Sequence, residues 1–304
     1  MRARTRGRKC SRSCMTHWGE RGTAARRAAM SAEFRGRFDH AVILVADLAR
    51  ASAAFTKLGF SVSPGGAHTG LGTHNALVRF GVDYLELLAI RDEEEALRAR
   101  GSTAPIVERL RSGRGGLASF ALATADIDRD AERFREQGLE ALGPFAMERL
   151  RPDGRRLSWR LLVPKGESWG RPWPFFIQWD QDDATRLSWE RPGSHANGAR
   201  RVLAVSVAVA DLDAAADLYQ RTLGLRAGGT DALAALGARR RTFTTDRFAV
   251  RLFGADGPGW IAERLRAAGE GIFEVTLATT GDSLVIPADA AEGARIAIVS
   301  DDQP

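Results

Sequence analysis

The sequence predicts an α+β protein assembled from repeated βαβββ units, and three observations predict it. A strand-like apolar run leads into an aspartate three times: Phe38–Val45 before Asp47, Leu117–Thr124 before Asp126, and Val202–Val209 before Asp211. Eight positions after each aspartate stands an aromatic residue (Phe55, Phe134, Tyr219). A glycine with an apolar successor then follows (Gly59 and Phe60, Gly138 and Leu139, Gly224 and Leu225). The aspartates lie 79 and 85 residues apart, a near-regular spacing that reads as duplication of one unit.

Each copy obeys the same local physics. An aspartate at the N-cap accepts a hydrogen bond from a free backbone N–H and suits the positive end of the helix. Leu48, Ala51 and Phe55 recur at helical spacing and form one apolar stripe, as do Ile127, Ala131 and Phe134, and Leu212, Ala215 and Tyr219. Glycine then lets the chain leave the helix through a left-handed turn. Strands are expected after the first helix at Ser61–Ser63, Asn75–Phe80 and Tyr84–Ile90. After the second they are expected at Phe145–Leu150, Leu157–Val163 and Phe175–Trp179, and after the third at Thr242–Thr244 and Phe248–Phe253. The pattern then decays into Gly271–Ala278, Ser283–Ile286 and Ala294–Val299, with no fourth capped helix. The acidic run Asp92–Glu95, between the first two units, reads as a solvated helix face. Residues 37–182 thus form two units, 183–199 a polar linker containing Pro192 and Gly193, and 200–304 a degenerate second pair.

With 304 residues, 44% hydrophobic and 27% charged, the composition is globular. No run approaches the roughly 20 apolar residues of a membrane span, so no membrane partner is expected. The net charge of +6 is unevenly placed: residues 1–36 hold ten basic and two acidic side chains, leaving −2 for the remainder. The body therefore lacks the basic footprint of a nucleic-acid binder. Both cysteines, Cys10 and Cys14, fall in the basic segment, so no disulfide staples the body and a cytoplasmic location is expected. Residues 1–36 read as a disordered basic tail or as sequence upstream of a native start at Met30. Cys10, Cys14 and His17 supply three metal-type ligands without a fourth.

The body offers few chemical groups in apolar surroundings. Glu86 interrupts the run Tyr84-Leu85-Glu86-Leu87-Leu88, where a carboxylate is costly unless paired; it is either a site group or half of a structural ion pair. His40 poses the same choice on the first strand. The glycine-rich run Gly65–Gly72 lacks the Lys-Ser/Thr of a phosphate loop and reads as a long hairpin bend carrying His68 and Thr73. Thr73 and Asn75 share a strand face. Trp159, Trp169, Trp173 and Trp179, near Arg160 and Arg171, are either pocket walls or core with cation–π contacts. No Ser-His-Asp arrangement, body cysteine or Rossmann glycine pattern is present.

Phe38-Asp39-His40 at the start of the first unit and Asp83-Tyr84-Leu85-Glu86-Leu87-Leu88 at its end resemble the vicinal oxygen chelate superfamily of glyoxalase I, extradiol dioxygenases and bleomycin-resistance proteins. Pro64–Asn75, Arg151-Pro152-Asp153-Gly154 and Pro174–Trp179 resemble, more narrowly, the glyoxalase-like domain family. The resemblance implies tandem βαβββ units curled into half-open barrels of the glyoxalase/dihydroxybiphenyl dioxygenase type. It also implies a divalent metal held by His40, Glu86 and Gln178, with Ser119 standing where a further ligand is expected. Ala204 and Arg251 occupy the corresponding positions of the third unit. The function implied is a metal-assisted lyase, isomerase or dioxygenase-type enzyme for a small oxygenated metabolite. Glu86 and His40 would be catalytic, and His68, Thr73, Asn75, Trp159 and Trp179 would contact the substrate. The alternative is a non-catalytic protein that sequesters a small molecule, as the bleomycin-resistance branch does. The oligomeric state is left open, a homodimer included.

Overall fold

The computed structural model describes residues 34–99, 103–166, 169–245 and 247–300; the expectations for Cys10, Cys14, His17 and Met30 fall outside the described residues. The first unit runs β1 (Gly36–Leu44), α1 (Leu48–Lys57), β2 (Ser63–His68), β3 (Thr73–Arg79) and β4 (Tyr84–Ile90). Two short helices, α2 (Glu93–Arg98) and α3 (Ala104–Arg111), lead to the second unit. That unit is β5 (Gly116–Thr124), α4 (Ile127–Glu136), β6 (Ala141–Leu150), β7 (Arg156–Pro164) and β8 (Phe175–Trp179). Helix α5 (Asp183–Trp189) precedes the third unit: β9 (Ala199–Val209), α6 (Leu212–Asp217), β10 (Arg226–Leu233), β11 (Ala238–Thr244) and β12 (Ala249–Ala255). Helix α7 (Trp260–Ala268) then leads to β13 (Gly271–Thr279), β14 (Leu284–Ile286) and β15 (Arg295–Ser300).

The caps form as their sequence predicts. Asp47 accepts from the N–H of Arg50, Asp126 from that of Arg129, and Asp211 from those of Asp213 and Ala214. Gly59, Gly138 and Gly224 all take positive φ. After α6 the chain continues as one π-helical turn, Leu218–Thr222, which brings Tyr219 into the core.

The first two units complete one another. Their strands close into a barrel of order β1-β4-β3-β2-β6-β7-β8-β5, each unit supplying half. One seam, β1 against β5, is long and antiparallel; the other, β2 against β6, pairs only Ala67 with Leu150 and His68 with Arg149. The third unit and the decayed fourth form the sheet β10-β11-β12-β9-β13-β15-β14. Matched to the barrel, this sheet has no counterpart of α4 or β6 among the described residues, and it stays open.

Barrel and sheet share one apolar core. Phe38 stacks on Phe248 with ring centroids 4.4 Å apart, the Tyr219 hydroxyl donates to the Pro172 carbonyl at 2.7 Å, and the Val202 N–H donates to Asp83 at 2.8 Å. Residues 181–200 do more than connect: Arg186 of α5 and Glu190 just after it are buried among the barrel residues described below. Strand β10 escapes sequence reading because it is mostly exposed and carries no apolar alternation.

The glycine-rich run is not a bend over its first half. Pro64–His68 form most of β2, and the turn begins only at Thr69. Its glycines answer two close approaches. A Cβ on Gly66, which has φ +141°, would meet the Leu150 carbonyl oxygen at 2.1 Å across the short seam. A Cβ on Gly65 would meet Asn75 Oδ1 at 2.0 Å. Gly65 thus leaves room for a buried amide of the site below. Gly65→Ala is expected to cost about 1–3 kcal/mol by overpacking, read as a lower urea midpoint. A midpoint equal to wild type would show that Asn75 is free to move aside.

Candidate functional site

The barrel encloses a cavity of about 710 Å³. Strand alternation decides what enters it. From β1 come His40 and Val42, from β3 Thr73 and Asn75, from β4 Tyr84, Glu86 and Leu88, and from β8 Phe175, Ile177 and Trp179. β2 adds His68, β6 adds Arg149, and β7 adds Trp159. The mouth is apolar and half open to solvent, with Leu142 43% and Phe145 48% exposed; the floor is closed, with Arg149 1% exposed. His40, His68, Asn75 and Glu86 lie at the buried end.

A β-bulge organises the floor. The pairing of β1 with β5 slips between Phe38 and His40, leaving Asp39 as the extra residue. Such a bulge re-aims a side chain, and here two consecutive residues work together. Asp39 Oδ1 is 2.8 Å from His40 Nδ1, and Asp39 Oδ2 accepts from Trp179 Nε1 at 3.0 Å and from Arg37 at 3.0 Å. Arg186 lies 3.6 Å from the same oxygen, with its guanidinium 3.7 Å over the Trp179 ring. Burial pushes the Asp39 carboxyl up, but Arg186, the His40 hydrogen bond and Arg37 together overcome it and hold the group well below the usual carboxylate range. Asp39 is therefore an anion that accepts from His40 Nδ1–H. The other nitrogen, Nε2, faces Glu86 Oε2 at 3.6 Å. The imidazole is clamped between Tyr84, stacked at 4.7 Å, and the edge of Phe175 at 5.4 Å.

Glu86 is held from the other side. Asn75 Nδ2 donates to Glu86 Oε1 at 2.5 Å, and His68 Nε2 lies 3.8 Å from that oxygen. His68 Nδ1 meets Thr73 Oγ1 at 2.9 Å. Arg149 donates to Asn75 Oδ1 at 3.4 Å and to Glu190, which also accepts from Arg79 and, at 2.9 Å, from Arg151. One chain of contacts thus links Glu190, Arg149, Asn75, Glu86, His40, Asp39 and Arg186.

Burial lowers the His68 pKa to about 4; Glu86 opposes the shift and Arg149 adds to it. His68 is neutral at pH 7. Because its folded pKa lies below the unfolded value of about 6.5, the unfolded chain takes up the proton first as the pH falls. Stability from this group is therefore complete above pH 6.5 and is lost as the pH falls from there toward 4, by about 3 kcal/mol in all. Urea midpoints across this range should fall with acidification and fall less in His68→Gln. Equal slopes in the two proteins would assign the loss to other groups.

The structure brings His40, Glu86, His68, Thr73, Asn75, Trp159 and Trp179 together on the cavity wall. Gln178 is not among them. Alternation turns it to the outside of β8, where its amide oxygen accepts from Ile127 N–H and from Arg160, and its amide nitrogen Nε2 donates to the Ala125 carbonyl. His74 points outward for the same reason, between Thr73 and Asn75. Ser119 pairs with Val42 and is fully buried, its hydroxyl without a hydrogen bond among the described residues. Trp169 reaches the cavity wall, whereas Trp173 packs against the main core.

The metal set implied by resemblance does not fit these residues. Gln178 is on the far side of the strand, Asn75 already donates to Glu86 Oε1, and no group of three or more His, Cys, Asp or Glu among the described residues is placed to hold a metal ion. Sequence reading also missed Asp39, Arg149, Arg186 and Glu190 as site groups. Only Asp39 carried a signal, its place beside His40.

Two βαβββ units closing one barrel around an enclosed cavity match the architecture expected from the sequence. A family model for the glyoxalase-like domain matches residues 38–223, and the chain belongs to that family. Among solved structures it is similar to a hypothetical protein from Staphylococcus aureus, at 18% identity over 87% of this chain and 99% of that one, with a TM-score of 0.68. It is also similar to a variant of 4-hydroxymandelate synthase from Streptomyces coelicolor, at 16% identity over 80% and 71% of the two chains, TM-score 0.53. A fusion of a xylose isomerase-like TIM barrel with 4-hydroxyphenylpyruvate dioxygenase matches at 13% identity over 89% and 50%, TM-score 0.55. These likenesses establish the fold. Comparison with curated proteins returns no match. No described helix is long and apolar enough to cross a membrane.

Proposed function

We propose that the barrel is the active site of an enzyme that moves a proton on a carbon beside a carbonyl, as an isomerase or lyase does. The observation that carries this reading is the buried line Asp39–His40–Glu86 at the end of an otherwise apolar cavity. Asp39 holds the proton of His40 on Nδ1 and leaves the Nε2 lone pair facing the ligand space, the orienting role a carboxylate plays for a catalytic imidazole. When Nε2 takes the proton of the C–H bond, the bonding electrons move toward the carbonyl oxygen. The imidazolium formed lies between Asp39 and Glu86, two carboxylates that stabilise its charge. Glu86, 3.6 Å away, is a second station from which the proton returns to carbon.

The test is exchange of the α-hydrogens of benzyl ketones such as 1-phenylpropan-2-one for solvent deuterium, followed by proton NMR. Protein-dependent exchange that is lost in His40→Gln supports the reading. Ligand binding without exchange would instead make this a sequestering protein, a reading favoured by the large apolar share of the cavity wall.

A further inference from the structure

We infer that the cavity takes an uncharged molecule with a flat apolar body and a hydroxyl-type donor at one end, inserted donor first against Glu86. This rests on the reading of the barrel cavity as the ligand site and adds the chemical class of the ligand.

Size supports it first. A cavity of about 710 Å³ is far roomier than a two- or three-carbon metabolite needs and lies within the range of ring-containing ligands. The direction of entry follows from the gradient of polarity. Phe145, Leu142 and Leu161 stand toward the mouth; Trp159 and Trp179, with centroids 5.1 Å apart, form an aromatic wall further in; the polar groups gather at the closed end. An apolar body left at the mouth and walls loses water, while the polar end reaches the floor.

The floor presents acceptors. Several of its donors are engaged within the protein: Asn75 Nδ2 on Glu86, Trp179 Nε1 on Asp39, and the two terminal nitrogens of Arg149 on Asn75 and Glu190. Glu86 Oε2 and His40 Nε2 face the space that remains. The charges around them are unequal in their pairing. Asp39 has Arg37 and Arg186, and Glu190 has Arg79, Arg149 and Arg151. Among the described residues Glu86 pairs with no guanidinium: it accepts from the neutral Asn75 amide and lies beside the imidazoles of His40 and His68. A carboxylate pushed to this floor would confront an anion with no guanidinium on it, whereas a hydroxyl would donate to it. Arg171 also lines the wall, and the experiment separates its influence by changing Glu86 alone.

The probes are 2-naphthol and 2-naphthoate, which share a body and differ in the head group. At pH 7 the phenol is neutral and the carboxylate ionised. Titration calorimetry with the full chain is expected to show 2-naphthol binding at least about tenfold tighter, the scale of one hydrogen bond to a charged acceptor. In Glu86→Gln, whose fold is checked by circular dichroism, the ratio should approach one. If that variant does not fold, the wild-type ratio decides alone. Equal or tighter binding of 2-naphthoate, or a ratio unchanged in Glu86→Gln, overturns the inference and leaves the cavity as a site. Binding of neither probe overturns both.

Discussion

Glu190→Gln is expected to lower the stability of the protein by about 3–5 kcal/mol, the scale of breaking a buried ion pair from one side. Glu190 is buried and is the shared acceptor of Arg79, Arg149 and Arg151. Arg79 and Arg149 are themselves buried, and the amide would leave their charges uncompensated while offering N–H groups toward N–H groups. Burial already lowers the Arg79 pKa, with Glu190 opposing the shift. Removing Glu190 therefore exposes the full cost of that burial. Urea denaturation measures the loss. Asp128→Asn serves as the reference, because Asp128 pairs with Arg160 at the surface, where an ion pair contributes about 0–1 kcal/mol. A loss for Glu190→Gln no larger than that of Asp128→Asn would show that water or a rearranged arginine takes over.

Asp39→Asn is expected to act on the chemistry through His40. The amide can donate toward His40 Nδ1, which would then carry its proton on Nε2 and lose the lone pair facing the ligand. Loss of general-base catalysis is typically 10²–10⁴-fold, so deuterium exchange should fall by at least about a hundredfold. The same substitution removes the carboxylate beside Arg186, whose guanidinium nitrogens make no hydrogen bond among the described residues. A stability loss of about 3–5 kcal/mol is expected with it. The two effects separate by measurement: exchange is assayed under conditions where circular dichroism shows the variant folded. Wild-type exchange in folded Asp39→Asn would mean that Asp39 is a structural anion and that His40 works without it.

Much of the architecture was legible because it rests on short-range rules. Asp47, Asp126 and Asp211 cap their helices, Gly59, Gly138 and Gly224 end the helical segments, and the strands of the decayed fourth unit lie where the apolar runs place them. Glu86, which lines the cavity, stood out in the sequence because a carboxylate in an apolar strand needs a partner. His40 was legible only through its resemblance to a family position.

The rest depends on three-dimensional accidents of register. Gln178 was placed at the metal by resemblance to a family position, but alternation on β8 turns Phe175, Ile177 and Trp179 inward and Gln178 outward. The bulge at Asp39 adds one residue to one strand and leaves no mark in composition or period, yet it sets Asp39 against His40. Arg186 and Glu190 lie in a polar stretch with the look of a connector. They become core groups only because that stretch brings them to the carboxylate of Asp39 and to the guanidinium groups of Arg79 and Arg149. By itself, then, the sequence determined the repeated unit, its helices and the two chemical groups His40 and Glu86. The tertiary structure decided that two units close one barrel, which faces look inward, and which distant charges balance at its floor. Caps and turns are set by neighbours a few residues apart, whereas strand pairing and buried charge balance join residues separated by up to 147 positions, as Asp39 and Arg186 are, and no local pattern encodes them.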